Sequence, residues 1–206
     1  MNPVAPCHCE ERSDKAISTS PHPSTPPSLP PLIGEGRGEV GGSEGGVFDA
    51  LAAIWQTARR IAFLGVGSPL RADDSVGLYL VAEFEQALPA SPHRELRFYL
   101  GESAPENFTG VIREFAPTHL IICDAAKMDA SPGTFAIIEP EKIGGVSFTT
   151  HTLPLKILVD YFIATTGCQV TIIGVQPKSL DFAHPLSPEV KAAADRFVHD
   201  LKKRLS

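Results

Sequence analysis

Asp73 and Asp74 stand together at the expected start of a helix, where a carboxylate can serve either of two ends. It can cap the helix by accepting backbone N–H bonds. Alternatively, one of the pair is kept ionised by the positive end of the helix dipole and acts as a metal ligand or general base. Asp124 follows the apolar run Leu120–Cys123. A carboxylate directly after a buried strand is costly to desolvate without a partner, so it is expected to line a cleft, or else to form the turn in Asp-Ala-Ala. His151 sits among hydroxyls in Phe148-Thr-Thr-His-Thr152, just ahead of another expected helix. Neutral imidazole is a common ligand for borderline metals, and a satisfied loop histidine is the plainer alternative. Two carboxylates and one imidazole, with positions left open, suit zinc, nickel or a similar divalent ion if the fold gathers them.

Other chemistries fit less well. No Gly-x-Ser-x-Gly elbow exists. Cys123 is expected to point into the core, and Cys168 opens a strand with no evident base. Gly65 and Gly67 suggest a dinucleotide loop, but Leu70 stands where the third glycine belongs and Phe98-Tyr99-Leu100 ends the second strand without an acid. His119, His184 and His199 have weaker claims than His151, lying at a strand start, in a loop without an acidic neighbour, and on the polar side of the last helix. Cys7-His8-Cys9 lacks the second ligand cluster that a structural metal site needs. With two of the 4 cysteines there and two scattered, no disulfide framework is indicated.

Positioning the three candidates falls to a regular alternation of elements. Leu51, Ile54, Trp55 and Ala58 give helical spacing over 47–60, and Ile61–Val66 reads as a strand buried on both faces. Val76, Leu80, Val81, Phe84 and Leu88 share one face of a helix over 74–88. Strands are expected at Glu95–Leu100, His119–Cys123, Thr134–Glu139 and Val170–Val175, with helices at Pro105–Phe115 and Leu153–Thr166, the latter stopped by Gly167. The last helix is capped by Ser187, takes Pro188 in its first turn and ends in Lys202-Lys203-Arg204. Such alternation implies an α/β fold: a three-layer α/β/α sandwich on a mostly parallel five-stranded sheet. Ligands in such folds bind beyond the carboxyl ends of the strands.

Composition sets the outer limits. Eighteen Lys+Arg against 24 Asp+Glu give a net charge of −6, which excludes a nucleic-acid binder relying on phosphate neutralisation. No apolar run approaches the roughly eighteen residues of a membrane span, and the N-terminus lacks the basic-then-apolar layout of a secretory signal. A cytoplasmic protein is expected. Residues 1–46 hold none of the aromatic residues, and Pro21–Pro31 and Gly34–Gly46 are rich in Pro and Gly. They are read as a disordered tail, leaving 47–206 as the folded domain.

Several segments together carry a resemblance. Residues 61–77 with the doubled aspartate, Gly101-Glu-Ser-Ala-Pro-Glu-Asn107, Ile122-Cys-Asp-Ala125, Pro132-Gly133, Thr149–Leu155 and Gly174-Val-Gln-Pro177 resemble the NiFe-hydrogenase maturation endopeptidases, in the branch that serves hydrogenase 3 of formate hydrogenlyase. The resemblance spans about residues 58–205. It implies an endopeptidase that removes a C-terminal extension from the hydrogenase large-subunit precursor after nickel insertion. The nickel is then carried by the precursor and recognised through Asp74, Asp124 and His151, with Asp74 as the catalytic carboxylate. Departures are Ser68 for a common asparagine, Ala72 and Ser75 for common glycines, and Glu102 at an often small position. Two alternatives remain at this level: a non-catalytic nickel-sensing or chaperone module, and a peptidase or amidohydrolase with its own permanent metal.

Overall fold

The computed structural model describes residues 44–89, 91–139, 147–148 and 155–205. The expected disordered tail up to residue 43, with its Cys-His-Cys triplet, lies outside the described residues, as does His151. Helix α1 spans Glu44–Thr57, three residues earlier than the expected start, so residues 44–46 are helical rather than linker. Its Val47, Phe48, Leu51 and Ile54 are buried.

The sheet is built from β1 (Arg60–Val66), β2 (Glu95–Glu102), β3 (His119–Lys127), β4 (Phe135–Ile138) and β6 (Gln169–Val175) in the order β2-β1-β3-β6-β4. All neighbours pair in parallel except β4, which runs antiparallel to β6. A two-residue strand, β5 (Ser147–Phe148), pairs antiparallel with the end of β3 and had no signal in the sequence. Between them run α2 (Val76–Ala87), α3 (Thr109–Phe115), α4 (Leu155–Thr166) and α5 (Pro188–Leu205), with single 3-10 turns at Ala72–Ser75 and Pro105–Phe108.

Alternation along β1 and β3 sorts the core into two layers. Ile61, Phe63, Ile121 and Cys123 join α1, α2 and α5 on one face. Ala62, Leu64, Leu120 and Ile122 join α3 and α4 on the other. Phe197 of α5 centres the first layer, its ring 4.1 Å from Phe135 and 4.7 Å from Phe48. Both faces are covered, as near-continuous apolar strands require. Among the described residues, no helix is long and apolar enough to cross a membrane.

Because β1, β2, β3 and β6 are parallel, their carboxyl ends form one rim. Helix α2 reaches that rim by packing its first turn against the strands, and glycine makes the approach possible. A Cβ on Gly77 would overlap the backbone carbonyls of Val66 and Cys123. On Gly65 it would sit 2.7 Å from the Gly77 carbonyl. Neither backbone can retreat without breaking the ladder.

Two glycines that look alike in sequence differ in what surrounds them. Gly77→Ala is expected to lose about 2–3 kcal/mol by overpacking. Gly110, in α3, has nothing within 4 Å of an added Cβ, so Gly110→Ala should gain about 0.5 kcal/mol through the unfolded state. Urea unfolding of both variants checks the contrast; equal effects would contradict the packing account.

Candidate active site

The turn from β1 into α2 carries the doubled aspartate, and its two carboxylates do different things. Asp73 is fully buried. Its Oδ1 accepts the Ser187 N–H at 2.6 Å, and its Oδ2 accepts the N–H groups of Lys178 and Ser179 at 2.8 and 3.0 Å and the Ser187 hydroxyl at 2.9 Å. The backbone repeats the link: Asp73 N–H donates to Ser179, Ala72 N–H to His184, and Ala183 N–H to the Leu70 carbonyl. Asp73 is therefore a bolt between this turn and the loop over 178–187. Hydrogen bonds to a carboxylate are worth roughly 1.5–3 kcal/mol each, which offsets the burial of the group. Neither aspartate caps α2, because Ser75 occupies that position. Ser187 stands directly before α5, at the expected cap position. Its carbonyl starts the α5 ladder by accepting the Lys191 N–H, while its hydroxyl is turned to Asp73.

Asp74 is equally buried, and its Oδ2 accepts the Ser68 N–H at 2.6 Å. Gly67 has φ +131°, and a Cβ there would overlap the Asp74 carbonyl, so the turn closes only with glycine. Ala72 has φ 35° and Glu102 φ 51°. These are two of the positions where the resemblance departs toward larger residues, and left-handed backbone there costs about 1–2 kcal/mol outside glycine.

Asp124 lies within β3 rather than beyond it, its Cα paired with that of Gly174 in β6. The expected strand end at Cys123 is thus four residues short, and the carboxylate is buried instead of lining an open cleft. Strand alternation puts it on the face of Ile122 and Ala126. On the backbone, Gly77 of α2 abuts the Cys123 carbonyl and the 3-10 turn holding Asp74 packs against β3, while the Asp124 side chain lies on the face of the strand away from α2. The structure therefore brings the segments of Asp74 and Asp124 to the same part of the rim. His151 lies outside the described residues. Among the described residues no three His, Cys, Asp or Glu side chains converge to hold a metal.

The remaining candidates fall away. Burial and, secondarily, Asp124 push the Cys123 thiol far above its ordinary range, so it stays protonated in the core. His119 is at the amino end of β3, opposite the rim, with Nε2 2.8 Å from Thr171 Oγ1. Burial lowers its pKa to about 4. Gln176, which the sequence marked only as part of a motif, braces the β3–β4 turn: its Oε1 accepts the Met128 N–H at 2.7 Å and its Nε2 donates to the Pro177 carbonyl at 3.1 Å. Beside it an open depression of about 450 Å³ runs between Lys127, Asp129 and the 177–181 backbone.

Comparison with known proteins bears on this arrangement. The family profile HycI, hydrogenase maturation protease, matches residues 80–203, a span that includes Asp124 and His151 and begins after Asp74. The hydrogenase 3 maturation protease of Escherichia coli is 35% identical over 133 residues, 64% of this chain and 82% of that protein. The crystal structure of the NiFe hydrogenase maturation protease HycI from Thermococcus kodakarensis superposes with a TM-score of 0.66 at 31% identity, covering 76% of this chain and 98% of that one. The solution structure of the endopeptidase HycI from Escherichia coli gives 0.59 at 33% identity, over 70% of this chain and 90% of that one.

Two outcomes are expected. Asp73→Ala should lose about 3–5 kcal/mol by stranding four donors, and hydrogen exchange should rise across 178–187 more than in the sheet; uniform exchange would contradict the bolt. His119 stays neutral in the fold down to about pH 4 but protonates near 6.5 when unfolded. Stability is then full above 6.5 and falls by about 3 kcal/mol as pH drops toward 4. His119→Gln should flatten that slope in urea titrations, and an unchanged slope would assign the loss to other groups.

Proposed function

The chain belongs to the hydrogenase maturation protease family, and on that premise we propose that it removes the C-terminal extension of a NiFe-hydrogenase large-subunit precursor once nickel is in place. It is a protease, and hydrogenase precursors are the partner of its family. The observation that carries the finer reading is the division of labour in the doubled aspartate. Asp73 is committed to four hydrogen bonds with the 178–187 loop, while Asp74 accepts a separate bond from Ser68 in a turn that packs against β3.

The nickel in this reading belongs to the precursor and is part of the substrate. Asp74 and Asp124 supply hard oxygen ligands, and His151 supplies the nitrogen that a borderline ion prefers. Both carboxylates are buried in the free chain, so precursor binding is coupled to their exposure. Hydrolysis then needs a water directed at the scissile carbonyl. Asp74 takes the proton from that water as the water oxygen bonds to the carbonyl carbon. The proton passes to the departing amine when the C–N bond breaks. The nickel, where it meets the scissile carbonyl, adds Lewis-acid polarisation.

Incubation with nickel-loaded and nickel-free precursor, read by the mass of the large subunit, tests the assignment. Wild type should shorten only the loaded form. Asp74→Asn, Asp124→Asn and His151→Ala should each lower kcat/KM by about 10²-fold or more. A precursor of unchanged mass in both states would favour a binding module instead. A stoichiometric metal retained by the purified protein would favour a resident-ion peptidase. Full cleavage by Asp74→Asn would remove Asp74 from the mechanism.

A further inference from the structure

Strand β2 ends the sheet on one side, and its outer backbone edge is open. In the order β2-β1-β3-β6-β4 it has β1 on one side and, among the described residues, no strand on the other. Its parallel register with β1 runs unbroken from Glu95 to Leu100. The Glu95 N–H donates to the Arg59 carbonyl at 2.8 Å, so the Glu95 backbone faces β1. Backbone groups alternate along a paired strand, so Arg97 and Tyr99 also face β1, while Leu96, Phe98 and Leu100 turn their N–H groups outward. The Leu96 carbonyl bears this phase out, because it accepts the exposed Arg97 Nη1 at 3.4 Å. Arg97 also pairs with Glu95 at 3.0 Å, which places a charged guard over the end of the edge remote from the rim. Among the described residues no side chain reaches the backbone of Phe98 or Leu100, and Leu100 is 46% exposed. Leu96 and Phe98 pack into the layer of α2, and Tyr99 into that of α3. Side chains thus hold the strand from both faces and leave the edge nearest the rim bare.

We propose that this edge binds the C-terminal extension of the precursor as an added antiparallel strand, an inference that rests on the reading of Asp74 as the site of cleavage. Edge strands recruit extended segments through main-chain hydrogen bonds. The bare stretch is the one that leads to the site. Just beyond it the Glu102 carbonyl accepts the Gly67 N–H at 3.1 Å, and the next residue, Ser68, donates to Asp74. A strand added to β2 lies about 10 Å from β1, two sheet spacings, and about three extended residues cross that gap. Direction follows from the substrate. The precursor body carries the nickel and stays at the rim, so the residues after the scissile bond lead away from it. Leading away along β2 is the antiparallel sense, which is also the more stable pairing. Phe98 then exchanges both backbone bonds with one residue of the extension, and the Leu100 N–H adds a bond nearer the site. Such recognition reads backbone, so it tolerates varied side chains in the extension.

Pulsed amide exchange on the wild-type chain with nickel-loaded precursor, quenched before turnover and read residue by residue, tests the pairing, with cleavage followed in parallel. In the free chain Phe98 and Leu100 should exchange fast, and Arg97 and Tyr99 slowly. Precursor should slow Phe98 and Leu100 about tenfold or more and leave Arg97 and Tyr99 unchanged. A precursor cut back to about three residues past the scissile bond should not protect them. Leu100→Pro removes an outward N–H and spares the ladder to β1. It should raise Kd and KM about fivefold or more, with kcat within about twofold. Unprotected Phe98 and Leu100 in a complex that goes on to cleave overturn the added strand and leave the protease reading standing. New protection without cleavage by wild type supports the added strand and overturns the protease reading. Protection that grows with the concentration of the chain alone, and that precursor does not change, assigns the edge to a second copy and overturns the proposal. A folded Leu100→Pro with wild-type Kd and KM overturns it too; if that variant does not fold, the wild-type exchange pattern decides.

Discussion

A carboxylate with no solvent exposure needs hydrogen-bond donors from the fold, and Asp73 receives four of them. All come from residues more than a hundred positions further along the chain. This one side chain joins the β1–α2 turn to the loop leading into α5. It fixes where Asp74 stands, how α5 begins, and which side chains the joined loops present to solvent. The energetic logic is asymmetric: the bonds together roughly balance the burial of the group, but loss of the acceptor would strand several donors at once.

The second constraint is closeness of backbone. Gly65, Gly67 and Gly77 are the places where a strand end, a turn and a helix approach within van der Waals contact of one another's peptide groups. Gly65 and Gly67 read as a failed dinucleotide motif in sequence, and the structure shows their use. The three glycines let the first turn of α2 sit on the ends of β1 and β3, which sets the Asp74 turn against the strand of Asp124.

Most of the fold was legible because apolar periodicity is local. The stripes of α2 and α5 and the doubly buried β1 and β3 fall where their spacing places them. The end of β3 was missed because Asp124, Ala125 and Ala126 carry little strand preference; the ladder to β6 extends the strand, and that pairing is set by distant residues. The roles of Asp73 and Asp74 could not be told apart from sequence for a similar reason. Two identical neighbours differ only in their partners, and the partners of Asp73 come from 178–187. The same distance hid the turning of the Ser187 hydroxyl away from its own helix. The candidate site was legible as residue types and motif order, and its geometry was legible only where the chain folds back on itself.

The account turns on the precursor's nickel acquiring ligands from the rim. X-ray absorption at the nickel edge, recorded on the loaded precursor alone and on its complex with the protease before turnover, tests this directly. The nickel should gain light oxygen or nitrogen scatterers in the complex, and a protease carrying Asp74→Asn and Asp124→Asn should not produce the gain. An unchanged nickel coordination shell in a complex that goes on to cleave would contradict the account.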